Sequence, residues 1–361
     1  MAPHFLSSYT HVYIDERHRR KNAVSDMSEL LDGLSLKPSR SFLAGTALVV
    51  IIFATAGISY FHRYPVSPPA VIGIYLAFIL LLVLSVAPAS KGARPVKPLS
   101  APRGQALVFV AIWCLPYFIY ATGTGDFRWT ALLKLLAIAA APVAIYSRFP
   151  PRKPDAFSWQ DACVAVMFVG FVLSGQLKGI WNVPLNLDFM SRLFLITVAS
   201  WCWTFVRIVP ELGYSFRLSR EVVKQAALNF VIFAVIAVPS SLAMHFTRWN
   251  PRWPGVVPFL LNYLEIFFFI ALLEELFFRG FLQSLLSTTL RSWVAAQALV
   301  SILFGFFHIL HAPFPNWRYV ALASVAGWFY GSAFRKGGSL MASSLVHAAV
   351  DTVWRTWLSA R

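Results

Sequence analysis

The stretch Glu274-Glu275-Leu276-Phe277-Phe278-Arg279 places three ionisable side chains among aromatic neighbours, at the end of an apolar run from Phe259 to Leu273. A charged group at membrane depth costs from a few to more than ten kcal/mol, so it ordinarily faces a cavity and has work to do there. On a helix, Glu275 and Arg279 stand four apart on one face with the acid first, the better order for pairing. Glu274 is turned from Glu275 by ~100° and is free to point elsewhere. One carboxylate can therefore hold the arginine while the other does chemistry. The plainer alternative is a helix end emerging among lipid headgroups.

Two further polar clusters follow. Phe304 and His308 stand four apart in the apolar run 293–310, and His347 and Asp351 stand four apart in the run 340–357. A lone intramembrane histidine is ordinarily a satisfied polar residue. Three helices each presenting Glu or His are different, because their side chains can converge in one pocket of a bundle. Glu274 and His308 could together deprotonate a water molecule. Asp351 could hydrogen-bond one nitrogen of His347 and fix its tautomer, leaving the imidazole to stabilise an oxyanion. These residues predict peptide-bond hydrolysis by activated water, with no Ser or Cys nucleophile. Glu274, His308 and His347 could instead bind zinc, whose water would be the nucleophile. Metal-free catalysis is the expectation, since Arg279 would repel a divalent ion unless Glu275 neutralised it. His311 lies three residues after His308, but Ala312-Pro313 follows and places it in the exit loop.

The elements that must position these groups are helices in a bilayer. The chain of 361 residues is 58% hydrophobic and 13% charged, far more apolar than an ordinary soluble domain. Its apolar runs predict an all-α polytopic transmembrane bundle of about eleven membrane helices. The formal charge of +16 comes mostly from short segments between those runs, the pattern of bilayer orientation and anionic lipid rather than of nucleic acid. Alternate segments differ in Lys and Arg content in the sense that places the N-terminus in the cytosol, in a plasma or inner membrane if the source is prokaryotic. Residues 1–41 are expected to form a basic cytosolic tail, with no cleavable leader expected. A Pro/Arg/Lys link at 147–158 separates an accessory bundle of about four helices, 42–147, from a core at 155–357. Arg192 and Arg207, near run ends, are expected to snorkel, and Cys114, Cys163 and Cys202 to be packing residues.

The three segments Glu274-Glu275-x-x-x-Arg279, Phe304-x-x-x-His308 and His347-x-x-x-Asp351 resemble, in order and spacing, the motifs of the CAAX protease and bacteriocin-processing (CPBP, or Abi) family of intramembrane endopeptidases. The resemblance covers about 155–357 and implies Glu274 and His308 as the water-activating residues. His347 and Asp351 would support the oxyanion, with Glu275, Arg279 and Phe304 in supporting places. It implies a membrane-associated protein or peptide substrate, and leaves open a glutamate-based or a zinc-dependent reaction. Two rivals remain at this point: a proton- or ion-coupled transporter, and a non-catalytic scaffold or immunity protein. The transporter would favour Gly/Pro-broken helices in paired halves, which the sequence does not display.

Overall fold

The computed structural model describes residues 39–62, 64–91 and 103–360. The basic tail expected at 1–41 lies almost wholly outside the described residues. From Arg40 onward the chain is helical: α1 Arg40–Phe61, α2 Pro68–Val86, α3 Arg103–Thr124, α4 Trp129–Arg148, α5 Trp159–Leu173, α6 Phe189–Trp201 and α7 Arg220–Ala243. After these come α8, a long helix over Val256–Thr289, then α9 Trp293–Phe306, α10 Trp317–Gly337 and α11 Leu340–Trp357. One short antiparallel pair, β1 Thr247–Trp249 with β2 Leu358–Ala360, ties the loop after α7 to the end of α11. Among the described residues, six helices are long and apolar enough to cross a membrane: α1, α2, α4, α6, α7 and α8. The others are shorter or more polar than a ~20-residue apolar span requires.

Helix starts follow side-chain chemistry. Ser158 and Asp161 form a capping box at α5, and Ser219, Ser292 and Asn316 each accept from a backbone N–H of the following turn. Gly338, at φ 63°, takes the left-handed conformation that ends α10, and its N–H bonds the Phe334 carbonyl at 2.9 Å.

Helix α8 is not uniformly α-helical. Phe267–Ala271 and Leu276–Gln283 are wound as π-helix, flanking a short α segment at Leu272–Glu275. Wide turns of this kind shift side chains out of α register and occur often at functional sites. Glu274 thus sits near the middle of a long helix rather than late in a span.

The first helices lie against the rest. Tyr214 and Ser200 hydroxyls donate to the Ser85 carbonyl at 2.7 and 3.3 Å, and Trp201 Nε1 donates to Leu84 at 2.7 Å. Gly73 of α2 and Gly123 of α3 cross so closely that a Cβ on Gly73 would come within 2.7 Å of the Gly123 Cα. Small residues permit such approach where lipid gives helices no hydrophobic reason to associate.

Two expectations are corrected. Arg207 does not snorkel: it is buried, with Nε and Nη2 on the two Asp161 oxygens at 2.7 and 3.0 Å. Its Nη1 and Nη2 also donate to the Pro154 and Ala156 carbonyls, at 2.6 and 2.9 Å. Both partners come from sequence too distant for any helical spacing to reveal. Cys114 and Cys202 are buried, but Cys163 is exposed.

Candidate active site

Glu275 is the structural centre of the site. It is fully buried, and its Oε1 accepts from Arg279 Nη1 at 3.0 Å and from His347 Nδ1 at 2.8 Å. The first bond is the expected i,i+4 pair. The second joins α8 to α11 across the bundle, and sequence spacing gave no sign of it. The orienting bond on His347 therefore comes from Glu275, not from Asp351.

With Nδ1–H committed, His347 presents Nε2 to the side facing Glu274 and Asp351. Glu274 Oε2 lies 3.9 Å from it and Asp351 Oδ2 3.6 Å, both beyond hydrogen-bonding distance. Glu274 Oε2 is buried and accepts no hydrogen bond from the protein. A carboxylate oxygen held this way is an acceptor with capacity to spare.

His308 lies just past the end of α9, in the turn after Phe306 rather than on the helix. Its Nδ1 donates to the Phe304 carbonyl at 2.8 Å, which leaves Nε2 as the acceptor nitrogen. The Phe304 ring touches both histidines, with centroids 4.9 Å from His308 and 5.8 Å from His347. His311 stacks on His308 at 5.5 Å, and Tyr319 lies against both rings.

Arg279 is enclosed. Its guanidinium lies over the rings of Phe304, Tyr330 and Phe278 at 4.6, 5.3 and 5.7 Å, and Nη2 donates to the Gly327 carbonyl at 3.0 Å. Aromatic faces attract a cation, and a desolvated one most strongly. Tyr330 also stacks on His347, 4.6 Å apart and nearly parallel. Helix α10 therefore contributes Gly327, Tyr330 and Tyr319 to the site, although the sequence reading assigned it nothing. Its signal was Gly327-x-x-x-Gly331, a small-residue stripe of the kind that lets helices close on one another. A Cβ on Gly327 would lie 3.0 Å from Ser301 Cα and 3.2 Å from Arg279 Nη2.

A cavity of about 610 Å³ opens against these groups, and Glu274, Phe304, His308, His347 and Asp351 all line it. Glu275 and Arg279 lie behind the wall. The sequence-derived residues thus divide into those that face the cavity and a buried pair that holds His347 in place. Among the described residues no group of three or more His, Cys, Asp or Glu side chains is arranged to hold a metal ion.

Residues 255–353, which carry all of these groups, match the family model described as type II CAAX prenyl endopeptidase Rce1-like. That segment is similar to the Rce1-like family. The three motifs all lie within the matched segment, which is shorter than the 155–357 that the resemblance covers, and the Rce1-like family is a family of proteases. With six helices among the described residues long and apolar enough to cross a bilayer, the chain is a multi-pass membrane protein. No curated protein and no solved structure matches the chain.

Proposed function

We propose that the protein is an intramembrane endopeptidase that hydrolyses membrane-associated proteins or peptides with water activated by Glu274 and His308. The observation that carries this reading is the placement of His347. Glu275 fixes its Nδ1 from behind, and its Nε2 shares a cavity wall with Glu274 and His308.

In the proposed reaction Glu274 takes a proton from a water molecule, with His308 Nε2 accepting a hydrogen bond from the same water. The oxygen attacks the scissile carbonyl carbon. His347, protonated on both nitrogens, donates from Nε2 to the developing oxyanion, and Asp351 steadies that proton from the other side. Glu274 then passes its proton to the leaving amine nitrogen as the C–N bond breaks, so that a new carboxylate and a new amine leave. Donors placed where charge develops, and a base placed at the proton, are each worth orders of magnitude in rate. No step needs a metal.

In the same reading the helices too short or too polar to be assigned as spans also lie within the bilayer. That gives about eleven membrane helices, with the N-terminus in the cytosol and residues 42–147 as an accessory bundle beside a core at 155–357. The test is direct. Purified protein in detergent is offered a set of lipid-anchored fluorogenic peptides, and cleavage is followed with wild type and with Glu274→Gln. Cleavage by the wild type alone supports the proposal. Cleavage of none, or equal cleavage by the variant, rejects it.

A further inference from the structure

Buried tyrosines in this protein spend their hydroxyls on the protein itself. Tyr117, Tyr120 and Tyr214 donate to the Arg128, Val183 and Ser85 carbonyls at 3.0, 2.9 and 2.7 Å, and Tyr146 donates to Asp161 Oδ1 at 2.9 Å. A phenol taken out of water ordinarily finds such a partner. Tyr330 of α10 is as deeply buried, at 2% exposure, and it lines the cavity. Among the described residues its hydroxyl bonds no protein group, and it is not one of the enclosed polar atoms behind the wall. It is a donor open to the cavity.

The surroundings of this ring are those of the reaction. It stacks on His347, with the Phe304 ring edge-on at 5.8 Å and the Arg279 guanidinium 5.3 Å from its centre. Asp351 is the charged group whose field acts most strongly on the phenol, ahead of Glu275, Arg279 and Glu274. The same Asp351 stands 3.6 Å from His347 Nε2. The oxyanion of the proposed reaction, meanwhile, is short of donors. Asp351 as a carboxylate only accepts. Glu274 and His347 lie inside helices, where backbone N–H groups are already taken. That leaves His347 Nε2 alone, whereas sites of this kind ordinarily converge more than one donor on the developing charge.

We propose that Tyr330 is a further catalytic residue, whose hydroxyl donates to the oxyanion beside His347 Nε2; the inference rests on the peptidase reading above. As the scissile carbonyl oxygen gains charge, a hydrogen bond from the phenol shortens and strengthens. The phenol keeps its proton throughout, so the transfer from water through Glu274 to the leaving amine is unchanged. Arg279 behind the ring improves the donor, because a nearby positive charge favours displacement of the phenol proton towards an acceptor. The buried arginine thereby reaches the reaction through an aromatic ring as well as through Glu275.

The experiment uses a lipid-anchored peptide that the wild-type protein cuts and Glu274→Gln does not. Values of kcat, KM and melting temperature are measured for wild type, Tyr330→Phe, Asp351→Asn and the double variant. Tyr330→Phe keeps the ring against His347 and Arg279 and removes only the oxygen. It should lower kcat about 10²-fold, the worth of one oxyanion donor, with KM and melting temperature close to those of the wild type. Asp351→Asn brings an amide that can donate where a carboxylate cannot. It should change the wild-type kcat little and raise that of Tyr330→Phe about tenfold, the worth of one such bond. A wild-type kcat in Tyr330→Phe overturns the proposal. So does a loss confined to KM, or one that follows a lowered melting temperature. An Asp351→Asn effect of equal size in both backgrounds overturns it too. In each of these cases the loss of cleavage in Glu274→Gln leaves the peptidase reading standing. A screen with no cut peptide removes both.

Discussion

Glu274 and Glu275 are adjacent and chemically identical, yet they have opposite surroundings. Glu274 lines the cavity, whereas Glu275 is sealed behind the wall with two donors on one of its oxygens. Glu274→Gln should therefore lower kcat by about 10²–10⁴-fold, the usual worth of a general base, and leave the thermal unfolding midpoint close to that of the wild type. Glu275→Ala should do the reverse in emphasis. It strands Arg279 without its carboxylate, and breaking a buried pair costs about 3–5 kcal/mol. A large drop in melting temperature is expected, with activity lost because His347 is no longer held. An equal melting temperature for Glu275→Ala and Glu274→Ala would show that the pair does not carry the fold. Asp351→Asn keeps an oxygen beside His347 Nε2 and should cost little in kcat/KM, while Asp351→Ala should cost much more. Similar rates for the two would remove Asp351 from the reaction.

At the scale of the elements, the site depends on how closely α10 can approach its neighbours. A Cβ on Gly305 would overlap Ser324 and come within 2.5 Å of the Val320 carbonyl. Gly305→Ala should push α9 from α10, destabilise by about 1–3 kcal/mol as overpacking does, and displace His308 three residues on. Adding Ser324→Ala should recover only part of the stability, since the backbone oxygen remains. Full recovery of the melting temperature would refute that account. What could be read from the sequence follows from distance along the chain. Glu275 and Arg279, four apart, meet as helical spacing requires, and Phe304 and His308 meet across the turn that ends α9. The partnership of Glu275 with His347, like that of Asp161 with Arg207, spans separations at which no periodicity survives. The π-helical turns of α8 were also hidden, because an apolar run reads alike in either winding. The end of α9 before His308 was hidden for the same reason.

For the whole molecule, the cluster around Asp161 constrains how the chain can cross a bilayer. Tyr146, near the end of α4, donates to Asp161 Oδ1 at 2.9 Å, Arg207 reaches the same carboxylate from the end of α6, and the capping box places Asp161 at the start of α5. The Phe157 N–H meets Thr289 Oγ1, the last residue of α8, at 2.8 Å. Four chain ends are thus knotted together at one level of the bundle, and points that touch cannot lie on opposite faces of a bilayer. The expectation that follows is one of parity: whatever the orientation of the protein, the chain between Phe157 and Thr289 should traverse the membrane an even number of times. Single cysteines placed at Lys153 and Arg291 in a background lacking the native thiols should be labelled by an impermeant maleimide from the same side, both together or neither. Labelling from opposite sides would mean that one of the short helices turns back before it has crossed.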